Sequence, residues 1–139
     1  MKLIIHGGFF SESSTNSTTK LAKQESLKNI LTQCYAYLQN HTALETVVLA
    51  VEMLENDPLF NAGIGSQIQN DGKIRMSASI MDGETKKFSG VINIEDVENP
   101  IRIAEKLLEF DDRVLGAEGA LNFAREHHFP KFNPEIPQR

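Results

Sequence analysis

Asn61 stands in the run Leu59-Phe60-Asn61-Ala62-Gly63-Ile64-Gly65-Ser66, where two glycines are interleaved with large apolar side chains. Loops facing solvent are ordinarily polar, so an apolar, glycine-rich loop predicts backbone held close to something buried. In such a setting an Asn amide beside backbone N–H groups can orient a nucleophile or stabilise developing oxyanion charge. A tight structural turn accounts for the same residues. His6-Gly7-Gly8, at the end of the apolar run Lys2 to His6, is the second place where backbone is exposed for chemistry. The remaining candidates are weaker. His127 and His128 are adjacent, so on a helix they point about 100° apart and cannot grip one metal as an i, i+4 pair would. They read as solvated residues at a helix end. Cys34 is the single cysteine and falls on an apolar stripe, as a small core residue does. Neither Gly7-Gly8 nor Gly63-x-Gly65 has the glycine spacing, the Lys-Ser/Thr pair or the strand-to-helix context of a phosphate loop.

The elements that must position these groups follow from periodicity. Lys2 to His6 predicts a buried strand stopping at Gly7-Gly8. A polar stretch over 9–18 connects it to a helix from about Lys20, with Leu27, Ile30, Leu31, Cys34 and Leu38 on one side. Thr42 and Glu45 have the spacing of a capping box. The helix they open carries Leu44, Val47, Val48, Val51 and Leu54, broadened by Ala50 and Met53, and predicts burial on most sides. Asn56-Asp57-Pro58 stops it. Gln67 to Asn70, the Asp71-Gly72 turn and Lys73 to Met81 predict a hairpin, with Phe88 to Ile94 as a further strand. Helical spacing returns at Ile101, Ala104, Leu107 and Leu108, and again from about Leu115 to Glu126. The tail FPKFNPEIPQR holds three of the five prolines and predicts a linker or ragged end. The order β-α-α-β-β-β-α-α suits an α+β fold, an antiparallel sheet covered by helices.

Composition bounds the function. The chain has 139 residues, enough for one domain. Fourteen Lys plus Arg against 19 Asp plus Glu give a net charge of −5. That balance argues against nucleic acid or an anionic membrane as partner, since both select clustered positive charge. One cysteine asks for no oxidising compartment, and no apolar stretch is long enough for a signal-peptide core or a membrane span. A cytoplasmic location is expected.

HGG after the first apolar run, PLFNAGIGS, SASIMDG, SGVINIEDVENPI and AEGALNFA occur in that order. Together they resemble the plant-type L-asparaginases, or isoaspartyl dipeptidases, of the N-terminal-nucleophile hydrolase class. The match runs from His6 to about Phe129. Glycosylasparaginases share the IMDG region and look different across the loop. The resemblance implies an αββα sandwich of which residues 1–129 form the α-subunit half, with 130–139 a Pro-rich tail or linker near the processing region. It also implies a precursor that cuts itself before a Thr in a Gly-Thr-Val-Gly context, freeing a β subunit whose N-terminal Thr is nucleophile and, through its amine, base. None of the seven threonines here follows Gly. The implied nucleophile therefore belongs to a separate β chain, in an (αβ)2 assembly, acting on the side-chain amide of L-asparagine and on β-aspartyl dipeptides.

Carried over residue by residue, the resemblance gives Asn61 a supporting catalytic role beside the nucleophile. It places His6, Gly7 and Gly8 in the loop facing the self-cleavage site. It further implies a structural Na⁺ on main-chain oxygens of Leu54, Glu55, Asp57, Phe60, Ala62 and Ile64, and no catalytic cofactor. A hard monovalent cation suits carbonyl oxygens and would pin an irregular loop. The chain departs from the family's pattern at Phe9-Phe10, where small residues usually follow HGG, at Ser77, where Asp is common, and at Ala117, where Gly is typical. Two other readings compete: a non-catalytic α fragment that serves as a binding or interaction module, and a superfamily protease cutting after Asp, against which the intact NAGIGS loop argues.

Overall fold

The computed structural model describes residues 1–8 and 17–135. Phe9-Phe10, most of the polar connector and the last four residues of the tail lie outside them. The described chain is a mixed α/β arrangement of four helices and a three-stranded sheet. Helix α1 (Ser17–Tyr37) packs on α2 (Ala43–Glu55). Strands β1 (Met76–Asp82) and β2 (Lys87–Ile94) form an antiparallel hairpin. Helix α3 (Pro100–Leu107) crosses both strands, and β3 (Val114–Gly116) joins β2 in parallel before α4 (Ala117–Glu126).

Helix α2 begins as its sequence dictates. The Thr42 hydroxyl accepts from the Glu45 N–H at 3.2 Å and the Glu45 carboxylate accepts from the Thr42 N–H at 2.8 Å. Two of the N–H groups that a helix start leaves unpaired are thereby satisfied. Its two apolar flanks go to different places. Val48, with Leu44 and Val51, meets Ile80 of β1 and Ile101, Ala104 and Leu108 around α3. Ala50, with Leu49, Met53 and Leu54, meets Ile30 and Cys34 of α1 and Phe60 of the following loop. Burial on most sides is what the stripe predicts, although Val47 remains exposed. Cys34 is fully buried against the Met53 sulfur at 3.9 Å, a core residue as expected.

The inner face of the sheet carries Met76, Val91 and Ile94 into a core closed by Ile103, Leu107, Ala120 and Ala124, while Ile80 on the same face packs into the cluster with Val48. The outer face is bare: Met81, Phe88, Ile92 and Val114 are each 49–62% exposed.

Several expectations fail for physical reasons. Lys2 to His6 is not a strand. A strand needs a neighbour to complete its ladder, and no described strand pairs with this segment; Leu3 and Ile5 pack beside α1 while Ile4 is 91% exposed. Gln67 to Asn70 is likewise not a strand. The Asp71-Gly72 turn forms, with Gln69 N–H donating to Lys73 O and Gly72 N–H to Gln69 O, but Gln67, Ile68 and Gln69 have no face to bury. β1 pairs with β2 instead. Among the described residues the sheet therefore has three strands and mixed direction, where about four antiparallel ones are expected, and β3 occupies Leu115, where the sequence reads as helix.

The tail is held as far as residue 135. The Arg125 guanidinium donates to the carbonyls of Phe129 (3.0 Å), Pro130 (3.1 Å) and Asp96 (2.6 Å). The Phe132 N–H also reaches Asp96 O, Lys131 pairs with the Asp96 carboxylate, and Pro134 is buried. Arg125→Ala is expected to release this strap and to speed tryptic cleavage after Lys131 by about tenfold with little loss of overall fold. Cleavage at the wild-type rate would mean that Pro134, not Arg125, holds it.

Candidate functional site

The loop carrying Asn61 is built from the end of α2. Asn56 caps the helix, and the Asp57 carboxylate accepts the Leu59 N–H at 2.9 Å with one oxygen and the Ser26 hydroxyl of α1 with the other. A chain of short-range bonds follows: Phe60 N–H to Asp57 O, Ala62 N–H to Phe60 O, Gly65 N–H to Ala62 O and Ser66 N–H to Gly63 O. Phe60 turns inward and is 3% exposed. Gly63 has a φ of +51°, and a Cβ there would fall on the Glu55 carbonyl oxygen. At Gly65 a Cβ would collide with the Phe60 carbonyl oxygen and lie 3.1 Å from that of Asp57. The glycines are required because backbone passes directly over backbone, the close approach that the apolar loop predicts.

Asn61 itself is exposed. Its Oδ1 accepts the Gln67 N–H at 3.0 Å. Because a backbone N–H can only donate, this bond fixes which end of the amide is oxygen and leaves the Nδ2 group as an outward donor. Asn61 borders a cavity of about 380 Å³ that Glu55, Gly63, Ser66, Gln67 and Arg75 also line. Gly7 closes on the same loop: a Cβ at Gly7 would lie 2.7 Å from the Phe60 ring and 2.9 Å from Leu27. His6 is exposed and its Nδ1 accepts the Gly8 N–H at 3.3 Å; no described bond links it to Asn61. His127 is not solvated as expected: its ring lies 5.0 Å from that of Phe110 and 4.2 Å from that of Phe123, whereas His128 is exposed.

The six main-chain positions expected to hold a cation form one continuous stretch around this turn. Among the described residues no group of three His, Cys, Asp or Glu side chains could hold a metal ion. The donors on offer here are carbonyl oxygens, three of which, from Glu55, Asp57 and Phe60, press against the side-chain-free Gly63 and Gly65. The carbonyls of Leu54, Asp57, Phe60 and Ala62 each accept a backbone N–H, and a carbonyl oxygen has two lone pairs. Such a donor set fits a hard monovalent cation.

The sequence reading missed the Glu55 side chain. Glu55 is 3% exposed, and burial pushes its carboxyl up to about 7 despite the hydrogen bond it accepts from the Ile101 N–H and the Asn99 amide nearby. The signal lies in spacing: Val48, Val51 and Glu55 fall on one helical stripe, so a carboxylate sits where a core residue belongs. A carboxyl raised in the folded state contributes stability that is complete below its unfolded value and lost as pH rises through 7. Between pH 5 and pH 8 the protein is expected to lose up to about 3 kcal/mol on this account. Thermal melts across that range should slope downward in the wild type and flatten in Glu55→Gln; equal slopes would mean that Glu55 titrates normally.

Comparison with known proteins decides the family. The family model described as asparaginase matches residues 1–138. The chain belongs to the asparaginase family. It is 46% identical over 135 residues to an isoaspartyl peptidase/L-asparaginase of Synechocystis, covering 96% of this chain and 40% of that protein. It is 45% identical to one of Nostoc, covering 95% and 42%, and 38% identical to a plant-type L-asparaginase of Pyrococcus horikoshii, covering 99% and 45%. The chain thus spans less than half the length of the curated relatives it matches. No helix among the described residues of this asparaginase-family chain is long and apolar enough to cross a membrane.

Proposed function

We propose that these residues form the α part of an asparaginase/isoaspartyl peptidase that hydrolyses the side-chain amide of L-asparagine and β-aspartyl dipeptides. In this reading a β chain with an N-terminal Thr completes the active site, and two such pairs associate. The observation that carries it is the Asn61 loop, with its amide oriented by Gln67 N–H and Gly7 packed on Phe60. The names of the relatives support the same reaction. The bare outer sheet face supports the partner: apolar residues there leave a surface suited to a second sheet, giving an αββα sandwich. Residues 1–129 are then one half of a single domain and 130–139 its outgoing segment. The lone buried thiol of Cys34 is in keeping with a cytoplasmic protein.

The chemistry follows. The Thr hydroxyl, deprotonated by its own amine, attacks the amide carbonyl. As the C–O bond forms, charge develops on the carbonyl oxygen. Collapse breaks the C–N bond, and the nitrogen takes the proton and leaves as ammonia or as the peptide amine. Water then attacks the ester and releases L-aspartate. Asn61 Nδ2 offers a donor to the nucleophile or to the developing charge. His6, Gly7 and Gly8 lie along the self-cleavage loop. Main-chain oxygens of Leu54, Glu55, Asp57, Phe60, Ala62 and Ile64 would hold a Na⁺, which would supply no chemical step and would serve to pin the loop.

The test is hydrolysis by the natively purified protein, with release of ammonia from L-asparagine and of L-aspartate from a β-aspartyl dipeptide. Turnover of both supports the reading, and turnover of neither overturns it. For the cation, Tm in 100-fold excess of sodium over its dissociation constant is expected to exceed that in choline chloride by an amount equivalent to about 2.7 kcal/mol. Identical melting in the two salts would remove the cation.

A further inference from the structure

Glu55 presents a carboxylate where an apolar residue would cost less. One oxygen, Oε1, accepts the Ile101 N–H at 3.1 Å, in the first turn of α3. Asn99, the residue at the N-cap of α3, makes no side-chain cap of its own; its amide donates to the Asn56 side chain at 2.8 Å. The capping of α3 is thus supplied from the last residue of another helix. The second oxygen, Oε2, is buried with no hydrogen-bond partner among the described residues, and Glu55 borders the cavity that Asn61 also lines. The main chain of Glu55 reaches the loop as well, through the carbonyl on which Gly63 sits. The facing charged groups are Glu52 and Arg102, and Arg102 is already engaged by Glu52 and Glu105. An arrangement that leaves half of a buried carboxylate unpaired is poor as a source of stability.

We propose that the Glu55 carboxylate is a positioning residue: it locks the end of α2, the start of α3 and the Asn61 loop in one register, and so sets where Asn61 presents its amide. The proposal rests on the asparaginase reading for its kinetic consequence. Its structural consequence stands apart from that reading. Asn61 is exposed and is tied by a single bond to Gln67, two residues beyond the Gly65 that must pack on Phe60. The amide therefore moves with the loop if the loop shifts relative to α3. Donors act on developing charge only within a few tenths of an ångström of their ideal positions, so displacement appears in kcat before it appears in KM.

The experiment compares Glu55→Ala, Glu55→Asp and Glu55→Gln in the natural, complete protein, with kinetics and backbone hydrogen exchange over residues 60–67. Gln keeps an oxygen for the Ile101 N–H and is expected to stay within about threefold of wild-type kcat, whereas Ala is expected to lower kcat by about 30-fold or more with KM within about twofold. Exchange in the loop should quicken in Ala and stay as wild type in Gln. If Ala does not fold, Asp, one methylene shorter, is expected to show the same split with a smaller kcat loss and quickened exchange. Wild-type loop exchange in Ala, or in Asp where Ala does not fold, overturns the proposal; so does Gln failing as badly as Ala. If the wild type hydrolyses neither substrate, the function reading has failed, and the exchange comparison alone then decides the role of Glu55.

Discussion

Asn61→Ala is expected to lower kcat for asparagine hydrolysis by about 100-fold or more, the usual cost of deleting one donor to an oxyanion. The side chain is exposed and its one protein bond is to Gln67 N–H, so the stability lost should be no more than about 1 kcal/mol. Asn61→Asp sharpens the test. A carboxylate oxygen can still accept from Gln67, which preserves the loop, but the donor is gone. Both variants should therefore assemble and melt like the wild type and turn over slowly. Wild-type turnover in either would take Asn61 out of the mechanism.

Gly63→Ala is expected to damage the protein more broadly. At φ +51° a side chain is strained, and here the new Cβ also falls on the Glu55 carbonyl oxygen. Left-handed strain of about 1–2 kcal/mol adds to an overpacking cost of about 1–3 kcal/mol. Stability and kcat should fall together, because the same collision that strains the backbone pushes apart the turn holding Asn61. Gly72→Ala is the control. Its φ is +81°, yet no atom of the described residues beyond its chain neighbours lies within 4 Å of the added Cβ, so it should cost about 1–2 kcal/mol and leave kcat alone. Equal losses in the two variants would show that the Gly63–Glu55 contact carries no special weight.

What the sequence made legible was local. The Thr42–Glu45 box and the Asp71-Gly72 turn lie where their spacing puts them, since each is closed by residues within a few positions. The apolar Asn61 loop was readable too, because glycine beside Phe60 has few explanations other than close approach. Features closed by distant residues were not readable. Lys2 to His6 has the residues of a strand and lacks a described neighbour. Val114–Gly116 is too short to show a period, and it becomes a strand only because β2 lies beside it. The tail reads as linker until Arg125 and Asp96 bring donors and acceptors from other elements. Glu55 gave a signal, a carboxylate on an apolar stripe, but its partner Ile101 is 46 residues away in sequence.

The central claim is that these residues are half of a divided active site. Intact mass measured under denaturing conditions, on protein purified natively from its own cells, tests it most directly. The account expects two species to separate from one complex: a chain containing these residues, and a second chain whose N-terminal residue is threonine. A single species, monodisperse before denaturation and inactive on both substrates, would contradict it and leave a non-catalytic binding module as the better description.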